Sequence, residues 1–219
     1  MAQKIGTVFS IAQNNPPVPG CTVSSIVYAA EAGSVLYFSL APQTDISAET
    51  YGYHKLIHVE SGALSVFTHA GEHWDVSEGQ VILTPTDIPV GMRSTEGCVY
   101  TEIEIRKETA MNDVLKPGEV LKLADLLPYQ EGKIVNMDLA HNDTMKFVLM
   151  SFDAGCGLSE HSAPGEALIF ALDGEGIIGY EGQEHVIKAG ENFKFAKNGK
   201  HYVKAEKPFK MGLLLLLSE

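Results

Sequence analysis

The chain has 219 residues, of which 45% are hydrophobic and 20% charged, a globular composition that is too apolar for disorder. It carries 16 Lys and Arg against 28 Asp and Glu, a formal charge of −12, and so acidic a chain is ill suited to a phosphate backbone. The segment from Met1 to Gly20 lacks a basic-then-apolar secretory pattern, and the apolar run Gly212 to Leu217 is far shorter than the roughly 20 residues of a membrane helix.

Taken in chain order, the elements read as strands. Val35 to Leu40 is a short apolar run bounded by turn residues. Leu64 to Phe67, followed by Ala70 and Gly71, reads as the entry to a hairpin. Gly79 opens a turn before the apolar stretch Val81 to Leu83. Val120 to Leu127 has the pattern of a short helix. Phe147 to Phe152 is again a strand run. Ile177 to Tyr180, the turn Glu181-Gly182 and Gln183 to Ile187 spell a hairpin. Gly190 precedes Phe193 and Phe195 as Gly79 precedes Val81. Many short strands with regular turns, and no long amphipathic helix, predict an all-β sandwich or barrel.

The chain also repeats itself. Gly6, Val8 and Ala12 match Gly118, Val120 and Ala124, an offset of 112 residues. The same offset pairs Leu56 with Leu168, Gly62 with Gly174 and His73 with His185. One residue is then lost, and Gly79 pairs with Gly190. Two tandem units of about 110 residues follow, the size of a jelly roll. The polar stretch Arg106 to Pro117 is the join, so the domains are expected at 1–107 and 108–219.

In the second unit, Gly155 to Gly176 resembles the first motif of the cupin family, and Gly190 to His201 resembles the second. The closing run Phe209 to Leu217 looks like the last strand of small cupins. Through the repeat, the resemblance extends to the first unit. It implies a bicupin: two cupin-type double-stranded β-helix (jelly-roll) barrels in one chain. Carried over by position, His161 is the second His of the motif, Glu166 stands near the carboxylate and His201 is the third His. The match departs in three places. Ser159 stands at the first His, Glu166 is one residue farther from its Gly than usual so that Ala167 competes for its place, and the Pro ahead of the last His is missing.

The resemblance thus implies ligand-binding residues His161, His201, Ser159 and Glu166. His161, His201 and Glu166 form a candidate set for one divalent metal (Zn, Fe, Mn or Ni), since imidazole and carboxylate suit all four. In the first unit the offset puts Glu49 at the place of His161, His54 at that of Glu166 and Val90 at that of His201. Either this barrel is a scaffold, or Glu49, His54, His58 and Glu60 form a site of their own. His54 and His58 lie about 13 Å apart on a regular strand, too far for one metal. The second barrel is expected to be the more polar inside.

Half of the lysines lie between Lys188 and Lys210, so a local positive field beside His201 is expected to attract an anion. Cys21, Cys98 and Cys156 make no paired framework and fit a reducing, cytoplasmic setting. Two functional classes follow. One is a bicupin that binds a small, anionic molecule in the C-terminal barrel. The other is a metal-dependent isomerase or oxygenase using His161 and His201. The expected partner is a small molecule, without nucleic acid or membrane, and a homodimer is compatible with the sequence.

Overall fold

The structure is a computed structural model that describes residues 5–30 and 33–217. Residues 1–4 and 218–219, the outer ends of the two expected domains, lie outside the described residues. Among the described residues the only helices are Ile11–Asn14 and the 3-10 turn Leu123–Asp125; all else that is regular is strand. None is long and apolar enough to cross a membrane. The chain forms two compact units.

The N-terminal barrel comprises Ile11–Thr109 and Asp113–Lys122. One of its sheets runs, in spatial order, Val120–Lys122, Gln80–Leu83, His54–Thr68, Cys98–Ile105, Gly33–Leu40, Thr22–Ala30. The far end of the long strand His54–Thr68 leaves that sheet and pairs with His73–Ser77 and Pro89–Ser94; the latter also pairs with Thr44–Thr50. Side chains alternate along each strand, and Ile57, Val59, Val66, Met92 and Tyr100 point into one core.

The C-terminal barrel comprises Met1–Ser10, Ala110–Asn112 and Leu123–Glu219. Its main sheet runs Val8–Phe9, Asn192–Phe195, Glu166–Tyr180, Phe209–Leu216, Met145–Phe152, Ile134–His141, Ala110–Met111. The far end of Glu166–Tyr180 pairs with Gln183–Lys188 and His201–Lys204; the latter also pairs with Gly157–His161. Ala167, Ile169, Ile178, Phe193, Phe195 and Val203 share its core. Each unit is a jelly roll, as the repeat predicts.

The long strand of each unit serves two sheets because a glycine bends it. Gly62 and Gly174 have φ of +78° and +73°. A Cβ there would stand 2.2 Å from the Gly97 carbonyl oxygen and 2.0 Å from that of Pro208. Only glycine supplies both the left-handed backbone and the close approach. The hairpin turn Glu181-Gly182 has φ of 46° and 80°, the pair of positive values a type I′ turn requires.

One element differs from expectation. Val120–Leu127 is not a helix: Val120–Lys122 pairs with Gln80–Ile82 as a strand, and Leu123–Asp125 is a 3-10 turn. Partners on a neighbouring edge outweigh the local helical pattern. All three cysteines are free; Cys98 is buried and Cys21 exposed.

Candidate functional site

A β-bulge between Leu158 and His161 brings His161 directly opposite His201. The two imidazoles lie 4.3 Å apart between ring centres, inclined at 56°. Phe195 stacks on His201 at 4.2 Å and 22°, and Tyr180 lies 5.5 Å from Phe195. Tyr180 packs there because Gly199 leaves room: a Cβ at Gly199 would come within 2.7 Å of the Tyr180 ring. His201 is buried and His161 exposed, so the pair leads from solvent into the barrel.

The tautomers follow from the backbone. His161 Nδ1 lies 2.8 Å from the Ser159 carbonyl oxygen, and His201 Nδ1 lies 2.9 Å from that of Gly199. A carbonyl oxygen only accepts, so each Nδ1 is the donor, and in the neutral form of each ring it is Nε2 that keeps the lone pair. Burial pushes the His201 pKa below its ordinary value; the neighbouring His161 adds to this, while the Gly199 carbonyl opposes it. With both rings neutral, the site offers two hydrogen-bond acceptors.

Of the four residues that the sequence proposes, the structure brings only His161 and His201 together by their side chains. Ser159 contributes its carbonyl oxygen. Glu166 alternates with the inward-facing Ala167 and Ile169, and its carboxylate meets Lys194 Nζ at 2.7 Å. Ala167 thus holds the inward place expected for the carboxylate, as the one-residue shift in spacing allows. Among the described residues no group of three His, Cys, Asp or Glu is placed to hold a metal. The lysine field is also largely spent: Lys188, Lys194 and Lys204 pair with Glu175, Glu166 and Glu184. Lys210 donates to the Ala124 carbonyl at 2.6 Å.

The N-terminal barrel reverses the expected polarity. Glu49 faces Val90 as His161 faces His201. At the place of Ala167 stands Lys55, whose Nζ lies 3.2 Å from Glu102 Oε1; both side chains are about nine-tenths buried. Strand register puts Glu102 and Glu104 where the other barrel has Leu213 and Leu215. Lys55 also sits 4.0 Å over the Tyr51 ring, and the Tyr51 hydroxyl donates to Glu49. Burial raises the Glu102 pKa, and Lys55 opposes that rise. The buried ion pair lies here, so the second barrel is not the more polar one. Its sequence signal is parity: Lys55 keeps step with Ile57 and Val59, and Glu102 with Tyr100, both inward sets.

Of the alternative set Glu49, His54, His58 and Glu60, only His58 and Glu60 meet. His54 Nδ1 lies 2.6 Å from the Thr84 carbonyl oxygen. His58 Nδ1 and the Thr101 hydroxyl both contact Glu60 Oε1, at 3.1 and 2.6 Å, while Glu49 receives Tyr51.

Two antiparallel double-sheet jelly rolls define the class of small β-barrel domains. Residues 148–216 match the model of the Cupin domain, and residues 31–127 match that of the AraC-like ligand binding domain. A Cupin 2 conserved barrel domain protein from Leptotrichia buccalis is 26% identical, with a TM-score of 0.86 and 98% of each chain covered. The chain belongs to the cupin superfamily. Two enzyme structures share the fold alone. A mutant of salicylate 1,2-dioxygenase from Pseudoaminobacter salicylatoxidans is 12% identical at a TM-score of 0.61, covering 84% of this chain and 70% of that one. Bacillus subtilis oxalate decarboxylase, described with Mn(II) centres, is 12% identical at a TM-score of 0.53, covering 100% and 79%. No protein of curated function matches the chain.

Proposed function

We propose that the half 108–219 binds a small carboxylic acid between His161 and His201, taking it up with a proton. The observation that carries this reading is the juxtaposed imidazole pair with both Nδ1 protons committed to backbone carbonyls. Each Nε2 accepts, so the favoured guest brings an acidic O–H. Equivalently, a carboxylate binds once a proton has been added to the pair. Phe195 and Tyr180 line the apolar side of the same place.

A divalent metal suits this tautomer, since a ligating His gives its other N–H to a carbonyl. The donor set does not fit a catalytic metal centre. Two imidazoles are one short of the three protein ligands usual there, with Ser159 and Ala167 at the remaining places. Recognition is therefore favoured over metal-dependent isomerase or oxygenase chemistry.

The test is calorimetric titration of the full chain with benzoic acid, benzyl alcohol and benzylamine across neutral pH. Benzoate affinity is expected to fall as pH rises through the histidine range, with the fall beginning below ~6.5 because burial lowers the His201 pKa, and to drop about tenfold in His201→Phe, which keeps the ring stack but loses one hydrogen bond. Benzoate binding that is independent of pH, or equal in His201→Phe, would refute the proposal.

A further inference from the structure

The interior of the N-terminal barrel contains two polar atoms with nothing to bind. Glu102 Oε2 and Tyr100 Oη are buried and lack a hydrogen-bond partner among the described residues. Their residues stand two apart on the strand Cys98–Ile105, hence on one face with backbones about 7 Å apart. An unmet polar atom in such a place is costly unless a ligand or water meets it. The charges around them are already matched. Lys55 meets Glu102 Oε1 at 3.2 Å. Arg106 Nε and the Ser34 hydroxyl each meet Glu104 at 2.9 Å, and Tyr51 meets Glu49. The route inward is graded: Glu49 is exposed, Tyr51 and Tyr53 are half-buried, and Lys55 and Glu102 are buried.

We propose that Lys55, Tyr100 and Glu102 form a second binding site, for a small uncharged molecule carrying a primary carboxamide. The amide NH2 donates a proton to Glu102 Oε2. Its carbonyl oxygen has two lone pairs, one for the Tyr100 hydroxyl proton and one for Lys55, whose ammonium has donors beyond the one on Glu102. A hydroxyl has to donate to Glu102 and accept from Tyr100 and Lys55 through one oxygen, whereas the amide spreads these contacts over two atoms. An ammonium adds an unmatched charge beside Lys55, and a carboxylate adds acceptors where donors are wanted. The aromatic rings of Tyr51 and Tyr53, 5.1 Å apart, flank the approach. The C-terminal barrel has Ala167, Met211 and Leu213 at these places and is excluded as a host for this group. The site lies within residues 31–127, the span that matches a ligand binding domain.

The experiment titrates four probes of one skeleton, propionamide, propanol, propylammonium and propionate, into the full-length chain. Two-dimensional NMR follows the methyl resonances of Ile57, Val59 and Met92, which share the Tyr100 core. Propionamide is expected to shift them in a saturable manner and more tightly than the other three. Glu102→Gln and Tyr100→Phe, each checked for an intact fold by its amide spectrum, are expected to weaken propionamide by about tenfold, the loss of one good hydrogen bond. The proposal is overturned if propionamide does not shift these methyls, if another probe binds as tightly, or if both folded variants bind propionamide undiminished. The readout lies in the barrel without His161 and His201, so it succeeds or fails independently of acid binding there.

Discussion

Replacing Lys55 by Met tests whether the Lys55–Glu102 pair is a true interior ion pair. Met matches the length of the Lys stem and removes only the ammonium. Glu102 is then a buried carboxylate without its cation, and breaking a buried pair in this way costs about 3–5 kcal/mol. The side chains are 10% and 8% exposed, so little solvent is at hand to soften that cost. The other barrel supplies the control, because it has apolar Ala167 and Leu213 at the same two places. In Lys55→Met/Glu102→Leu no charge remains, and the double variant should fall within about 1 kcal/mol of the parent or exceed it. Urea unfolding followed by fluorescence isolates the right unit, since Trp74 is the sole tryptophan and packs on the N-terminal core. The single variant should also depend on pH. Burial raises the Glu102 pKa, and loss of Lys55 raises it further, so the folded state holds its proton to higher pH than the unfolded one. Stability is then greatest below the ordinary carboxylate range of ~4.3 and is lost as pH rises through the raised value. A single variant that loses less than about 1 kcal/mol near neutral pH, or a double variant as unstable as the two singles summed, would refute the reasoning.

His201 should titrate below the ordinary histidine value in NMR spectra of its ring protons, because it is buried beside a second imidazole. His161→Asn should recover only part of the shift, burial being the larger cause; full recovery would contradict that order. The folded state binds the His201 proton less readily than the unfolded one, so its stabilising contribution is complete above ~6.5 and is lost as pH falls through the folded value. Gly62→Ala and Gly174→Ala should each destabilise their own barrel by more than the ~1–2 kcal/mol of the left-handed backbone, because the added methyl also meets a carbonyl oxygen. Thermal melts by circular dichroism check this, and a loss below about 1 kcal/mol at either position would show that the strand bends without its glycine.

The fold was legible because its signals are local and repeated. Gly62 and Gly174 hold the same register in sequence and make the same close approach in space. The His161–His201 pair was legible from motif position. For the carboxylate place the sequence left Glu166 and Ala167 in competition, because a one-residue shift changes which face a strand side chain occupies, and in the structure it is Ala167 that faces inward. The Lys55–Glu102 pair was missed for a different reason. Each residue is an ordinary charge in sequence, and only the pairing of two strands 47 positions apart brings them into contact inside the barrel. The lysine run failed in the opposite sense: its members are close in the chain, but their carboxylate partners come from other strands.

The two interiors are specialised by exchange at matching positions. Where the C-terminal barrel has His161 and His201, the N-terminal one has Glu49 and Val90. Where the N-terminal barrel has Lys55 and Glu102, the C-terminal one has Ala167 and Leu213. Neither barrel holds both polar sets. A barrel of this size has few inward positions beyond those its core needs, and every buried polar group must find a partner. An imidazole pair at the mouth and an ion pair farther down make different demands on the same space. Duplication removes the conflict, because each copy can drop the set that the other keeps.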